Sequence, residues 1–321
     1  MMDQLEQLSS LGTVVVADTG DFNSLKQFTP TDVTTNPSLL MAAASMPEYA
    51  PLVNEAIAFG RGEISATMNK LAVNFGAEII KTIPGLISTE VDPSHSFSTE
   101  KTVAQARELI KLYDSVGVPT NRVLIKVAAT WEGIRAAEIL EREGIHVNMT
   151  LIFSIYQAVA AAEAGATLIS PFVGRILDWY KAAEKVDGYP GDKDPGVKSV
   201  SEIWTYYQKF GYKTIVMGAS FRNKEEILAL AGCDKLTIGP KFLEELKKSS
   251  EKVTRRLVPE SAKHSKLQKI SVDEESFRFM MNEDTMATEK LAQGIRQFAA
   301  DTRKLMETLA AKIAKGSSPS K

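Results

Sequence analysis

The sequence predicts a closed (β/α)8 barrel with additional helices at its C-terminal end, and three observations point there. Eight short runs rich in β-branched residues recur along the chain, most of them followed by a stretch of helical periodicity. Eight such units within about 250 residues is the size of a barrel of this kind. The nearest rival, an open doubly wound sheet, lacks its signature: no Gly-x-Gly-x-x-Gly follows the first run.

The bulk numbers narrow the function. The chain has 321 residues, 44% of them hydrophobic, and a formal net charge of −2. That balance argues against non-specific nucleic-acid binding, which requires a strongly basic surface. A single cysteine, Cys233, cannot form an internal disulfide and fits a reducing compartment. The opening residues are acidic and amphipathic, without the basic and apolar regions of a secretory signal. No apolar stretch approaches the roughly 20 residues that cross a bilayer. The expectation is a cytoplasmic protein of enzyme size with no membrane and no nucleic-acid partner.

Taken in order, the first strand is residues 13–18, closed by Thr19-Gly20-Asp21, and the second is 32–36, stopped by Pro37, after which helix can resume from 38 to 45. Residues 50–82 carry helical periodicity through Val53, Ile57, Leu71, Phe75 and Ile79. After the Pro84-Gly85 turn comes a third strand, 86–91, then a helix capped by Ser98 that runs to about Val116. The fourth strand, 122–129, leads to a helix capped by Thr130. Strands 146–153, 167–173, 213–219 and 235–238 complete the set, each of the first three followed by helix. Residues 272–281 and 284–315 read as two further helices. The second places Leu291, Ile295, Phe298, Leu305, Leu309 and Ile313 on one face, which must be covered by the barrel or by a second subunit. The reading is one barrel domain over residues 1–315, with C-terminal helices from about 272. The tail, 316–321, has nothing to bury and is expected to be disordered.

The fourth strand holds an oddity. Arg122-Val-Leu-Ile-Lys126-Val-Ala-Ala129 is the pattern of a buried parallel strand, with an amine inside it. Burying an ammonium costs several kcal/mol unless it is paired, neutralised or used, by a rough reckoning. Side chains two apart share a face of a strand, so each strand can be tested for what accompanies its interior positions. Asp18 falls in register with Val14 and Val16, Thr34 with Asn36, Glu90 with Leu86 and Ser88. Asn148 shares a face with Thr150, Ser170 with Phe172, and Ser220 with Val216 and Gly218. Polar groups thus collect toward the C-terminal strand ends, where barrel enzymes carry their sites. Singly, each reads as a strand-end cap. Jointly, burying carboxylates, amides and a lysine together without use is costly.

Two arginines suit an anion. Arg175 follows Gly174 at a strand-to-helix turn, and Arg222 precedes a helix whose expected capping box pairs Asn223 with Glu226. An arginine at such a place offers paired donors to a phosphate.

At this point the chain resembles the class I transaldolases of the long bacterial and eukaryotic type. The matching stretches are Val15-Val-Ala-Asp-Thr-Gly-Asp21, Thr34-Thr-Asn-Pro-Ser-Leu39, Ser88-Thr-Glu-Val-Asp92, Leu124-Ile-Lys-Val-Ala128 and Thr130-Trp-Glu-Gly-Ile134. They continue through Asn148-Met-Thr-Leu-Ile-Phe-Ser154, residues 169–179, Val216-Met-Gly-Ala-Ser-Phe-Arg222 and residues 282–289. The resemblance implies transfer of a dihydroxyacetone unit from fructose 6-phosphate or sedoheptulose 7-phosphate to erythrose 4-phosphate or glyceraldehyde 3-phosphate. That reaction belongs to the non-oxidative pentose phosphate pathway. It also implies Lys126 as the Schiff-base lysine and Asp18 as the group that moves the C4 hydroxyl proton. Glu90 would act through a water held with Thr150. Asn36 and Asn148, with Thr34 and Ser170, would hold the dihydroxyacetone moiety, and Arg175, Ser220 and Arg222 the phosphate. Fructose-6-phosphate aldolases carry a tyrosine where this chain has Phe172, and a phenyl ring favours transfer over release. No metal and no other cofactor is implied. Relatives are commonly homodimers. The alternatives are an aldolase that releases dihydroxyacetone and a non-catalytic barrel that binds sugar phosphates. The sequon Asn148-Met-Thr150 lies in a strand expected to be buried and is set aside.

Overall fold

All eight expected strands are present in the computed structural model, which describes residues 2–316. They are β1 (Val14–Asp18), β2 (Asp32–Thr34), β3 (Ile87–Glu90), β4 (Val123–Ala128), β5 (Val147–Ile152), β6 (Leu168–Pro171), β7 (Ile215–Gly218) and β8 (Lys235–Ile238). Every neighbouring pair is parallel, in chain order, and β8 pairs with β1 through Val14↔Lys235 and Val16↔Thr237 to close the barrel. The strands are shorter than the apolar runs that announce them. Residues at the run ends turn away into loops and caps, where their backbone groups find other partners.

The interior is stratified. Val16, Leu124, Leu168 and Met217, with Val14, Leu86 and Ile215, fill an apolar layer. Toward the strands' N-terminal side, Lys235 of β8 pairs with Asp32 of β2, both largely buried. Polar residues occupy the C-terminal end. The outward parity meets the helices in one large core that includes Val123, Ile125, Val127, Val147 and Met149.

Local rules account for most helix starts. Ser98 accepts from Lys101 N–H at 3.2 Å and Thr130 from Gly133 N–H at 2.9 Å, as their positions before the periodic runs predict. At the end of β5, Gln157 forms a capping box with Ser154. Its Oε1 accepts from Phe153 and Ser154 N–H, and its Nε2 donates to Ala129 O and Leu151 O at 2.9 and 3.0 Å. One fully buried amide therefore ties the ends of β4 and β5 together. Gln157→Leu strands these four backbone groups, and a loss of about 3 kcal/mol or more is expected. Calorimetry checks it as a fall in Tm of roughly 5–10 °C.

Three expectations are corrected. Residues 50–82 form two helices, Ala50–Gly60 and Ile64–Ile80, because Arg61 and Gly62 both take positive φ (48° and 96°) and reverse the chain. In β7 the interior parity is Ile215 and Met217, while Val216 joins the outer core, so Ser220 does not share an inward face with Val216 and Gly218. The capping box at Asn223 is half formed. Asn223 Oδ1 accepts from Glu226 N–H at 2.8 Å, but the Glu226 carboxylate bonds to Arg222 N–H instead.

The C-terminal segment forms helices Glu274–Glu283 and Thr285–Gly316. The long one is covered by its own chain: Ile295 and Phe298 join the main core. Leu305 and Leu309 pack with Tyr49, Val53, Leu71 and Phe75. Gly316 closes this helix, and the rest of the tail expected to be disordered, 317–321, lies outside the described residues.

Candidate active site

Register puts the interior polar residues side by side. Lys126 pairs across the sheet with Glu90 of β3 and Asn148 of β5, and Asp18 pairs with Thr34 of β2. Lys126 is 4% exposed. Its Nζ lies 3.1 Å from Glu90 Oε2 and donates to Thr35 O at 3.1 Å. The contact with Glu90 is an ion pair without hydrogen-bond alignment, so the carboxylate keeps lone pairs for another donor.

The two acids share one electrostatic setting. Burial raises the Asp18 carboxyl above its ordinary 3.8, opposed by Lys126, by the Thr34 hydroxyl donating at 2.8 Å, and by Arg175. Burial raises Glu90 as well, with Lys126 and Arg175 opposing and Asp18 reinforcing. Both are therefore stronger bases than solvated carboxylates.

Around them is a ring of short polar groups. Asn148 is fully buried; its Nδ2 donates to Ser88 Oγ at 3.1 Å, and its Oδ1 accepts from Ser170 Oγ at 2.7 Å. This amide is locked, and the sequon it begins is inaccessible. Thr34 also meets the Thr237 hydroxyl at 2.6 Å. Thr150 Oγ1 is buried and has no hydrogen-bond partner among the described residues. Such a hydroxyl costs about 1–3 kcal/mol unless something binds it. Asn36 lies beyond β2 as the N-cap of helix Pro37–Ala44. Its Oδ1 is occupied by Leu39 N–H at 2.9 Å, which leaves its amide N–H groups for the cavity.

Asp18, Thr34, Asn36, Lys126, Ser170, Phe172, Arg175, Ser220 and Arg222 all line one cavity of about 210 Å³. Thus nine of the twelve residues singled out from sequence converge on it. Glu90 and Asn148 adjoin through Lys126 and Ser170, and Thr150 stands one interior position above Asn148 on β5.

The rim is cationic. Arg175 stacks between the rings of Phe172 (4.9 Å) and Phe298 (5.2 Å), with no carboxylate within ion-pair distance among the described residues. Burial, then the neighbouring Arg222, lowers its pKa. Arg222 is half exposed and pairs with Asp178 at 2.7 Å. Ser220 has φ +61°, a left-handed conformation rare outside glycine. That turn, rather than strand parity, brings it to the cavity. Sequence reasoning missed Thr237, Asp178 and Phe298. Thr237 was within reach of the alternation rule, two positions beyond Lys235. Asp178 lies three residues after Arg175 on a helix, a spacing that keeps both on one side. Nothing local marks Phe298, whose place depends on where the C-terminal helix docks.

The chain is similar over most of its length to known proteins. A family model described as Transaldolase/Fructose-6-phosphate aldolase matches residues 15–309. A protein of Rattus norvegicus named "Transaldolase" is 57% identical over 316 residues, covering 96% of this chain and 93% of its own. One from Drosophila melanogaster named "Probable transaldolase" is 55% identical over 95% of this chain and 94% of its own. A "Transaldolase" of Kluyveromyces lactis is 55% identical over 97% and 96%.

Proposed function

The chain belongs to the transaldolase/fructose-6-phosphate aldolase family, and from that premise we propose how its barrel-mouth residues divide the work. It is a transferase with transaldolase function, moving a dihydroxyacetone unit between sugar phosphates through a lysine Schiff base. The observation that carries the assignment of residues is a buried amine 3.1 Å from the buried Glu90 carboxylate, with a second carboxylate, Asp18, lining the cavity that the amine enters.

Lys126 Nζ attacks the ketose carbonyl carbon once its proton has passed to a base, and Glu90 is the base in reach. Loss of water from the carbinolamine gives the iminium, which withdraws electrons from the C3–C4 bond. Glu90 and Thr150 serve that dehydration and the later hydrolysis by holding a water between them. The open lone pairs of Glu90 and the unpartnered Thr150 hydroxyl support this. Asp18 takes the C4 hydroxyl proton as C3–C4 breaks and the aldose phosphate leaves. The remaining three-carbon unit stays bonded to Nζ, its hydroxyls facing Asn36, Asn148 and Ser170. When the acceptor aldehyde arrives, the same atoms run in reverse and Asp18 returns the proton to the new alkoxide.

The phosphate is held by Arg175, Ser220 and Arg222. Among the described residues no carboxylate lies within ion-pair distance of Arg175, and Arg222 is anchored by Asp178 with part of its guanidinium still exposed. Phosphate contacts persist from ground state to transition state, so Arg222→Ala raises KM for phosphorylated substrates about tenfold or more and lowers kcat little. Steady-state kinetics with fructose 6-phosphate check this, and a large kcat loss at unchanged KM contradicts it.

Phe172 supports transfer over release. It packs edge-on to Phe153 at 5.5 Å and presents carbon to the cavity, so it cannot donate a proton to the bound three-carbon unit. Turnover of fructose 6-phosphate is expected to depend on added erythrose 4-phosphate. Equal turnover without acceptor identifies the protein as an aldolase instead. We also read the chain as one domain acting as a cytoplasmic homodimer, on the family resemblance alone. Among the described residues no helix is long and apolar enough to cross a membrane, and no cluster of side chains suits a metal ion.

A further inference from the structure

The loops that carry the phosphate-facing residues are joined from behind by two buried acids that take no part in the chemistry above. Glu226 is fully buried. Its Oε2 accepts the backbone N–H of Arg222 at 2.6 Å. Asp194, 1% exposed, caps helix Pro195–Phe210 by accepting from Gly196 N–H at 2.7 Å and Val197 N–H at 3.3 Å. Glu226 Oε1 is buried with no hydrogen-bond partner among the described residues, and the Asp194 carboxyl is the acid that it interacts with.

Their attachments lead to both arginines. A Cβ on Gly196 would sit 2.1 Å from Val173 O, so the start of that helix rests directly on the backbone before Arg175. Gly174 N–H donates to Ser220 O at 2.7 Å, and a Cβ there would meet Ser220 O at 2.5 Å. The post-β6 segment, the helix at Asp194 and the post-β7 segment are therefore packed without slack. Glu226 and Asp194 sit at the junction.

Two neighbouring buried carboxyls do not both ionise readily, and a proton kept by one can bridge them. Burial lifts Glu226 to about 7, with the Arg222 N–H opposing and the Asp194 charge adding to the rise. Burial also raises Asp194, against its two backbone donors. Among the described residues the titratable and charged groups facing the pair are Arg222, the Tyr189 hydroxyl near Asp194 and, beyond Arg222, Asp178 and Arg175 on helix Gly174–Glu184.

We propose that Asp194 and Glu226, bridged by one proton, form a positioning clamp that sets Arg222, and through Val173 also Arg175, for the substrate phosphate. The clamp rests on the phosphate assignment made above. When the bridging proton leaves, two like charges face each other in a buried site, and their repulsion opens the junction behind Arg222. Glutamine at 226 keeps an acceptor for Arg222 N–H and a donor for Asp194, and it cannot ionise.

The test is the pH dependence of KM for fructose 6-phosphate. In the wild type KM rises several-fold from pH 6.5 to 8.5, whereas in Glu226→Gln it stays near the low-pH value, a comparison that cancels titration of the substrate itself. Glu226→Ala raises KM about tenfold at both pH values, with kcat and borohydride trapping of unphosphorylated dihydroxyacetone little changed. Parallel KM curves for wild type and Glu226→Gln overturn the clamp, and they decide the matter even when the alanine variant does not fold. Arg222→Ala separates the two readings. If it leaves KM unchanged, the phosphate assignment is wrong; if it raises KM while Glu226→Gln leaves the pH curve unaltered, only the clamp fails.

Discussion

Lys126→Met abolishes turnover, by about 10⁴-fold or more, because no other group in the cavity can form the iminium. Methionine matches the length of the stem and fills the same buried channel, so the loss is chemical. Near-UV circular dichroism is expected to show the folded state retained. The stronger readout is covalent. Borohydride reduction of the wild type with fructose 6-phosphate leaves an adduct on the peptide containing Lys126, and the methionine variant leaves none. The interior also holds Lys235, which makes the site of labelling informative. That lysine lies on the other side of the apolar layer, paired with Asp32. An adduct on Lys235, or none on Lys126, sinks the assignment of the nucleophile.

Asp18→Asn is expected to reduce turnover by roughly 10²–10⁴-fold while leaving that adduct intact. The amide keeps the shape and can still accept from Thr34, but it cannot take the C4 hydroxyl proton. The iminium therefore forms and stalls, and trapped enzyme accumulates. Failure to trap would place Asp18 in imine formation instead. The pH profile adds a check. Asp18 acts as carboxylate and burial raises its pKa, so activity is lost as pH falls through the raised value. The acid limb of kcat then lies above 3.8, and Asp18→Asn removes the part of it set by Asp18, leaving that of Glu90.

The barrel was legible because a parallel strand buried on one face by side chains and on the other by helices writes a continuous apolar run. Polar breaks in such a run then mark its mouth. Alternation correctly aligned Asp18, Glu90, Lys126 and Asn148, whose strands are regular up to those positions. It failed at Ser220, where the chain has left β7 and one left-handed residue rotates the side chain inward. Periodicity is blind to a two-residue reversal such as Arg61-Gly62, since both flanking segments are truly helical. The pattern Asn223-x-x-Glu226 foretold a reciprocal cap. The Arg222 N–H took the carboxylate instead, and Glu226 also interacts with Asp194, thirty-two residues earlier in the chain. Long-range partners of this kind, Asp178 with Arg222 and Phe298 with Arg175 among them, leave no local trace.

Phe298 sets a temporal order on the protein's making. The last barrel strand ends at Ile238, yet one wall of the Arg175 pocket comes from a residue sixty positions later. During synthesis at about 5–20 residues per second, a barrel with every strand, and with Lys126 and Arg175 already in place, precedes the second ring that packs on Arg175 by roughly 3–12 s. Nascent chains stalled before the long helix hold Lys126, Arg175 and Arg222 and lack the Phe298 ring that packs on the Arg175 guanidinium. The Arg175 pocket is therefore completed last, when that helix docks.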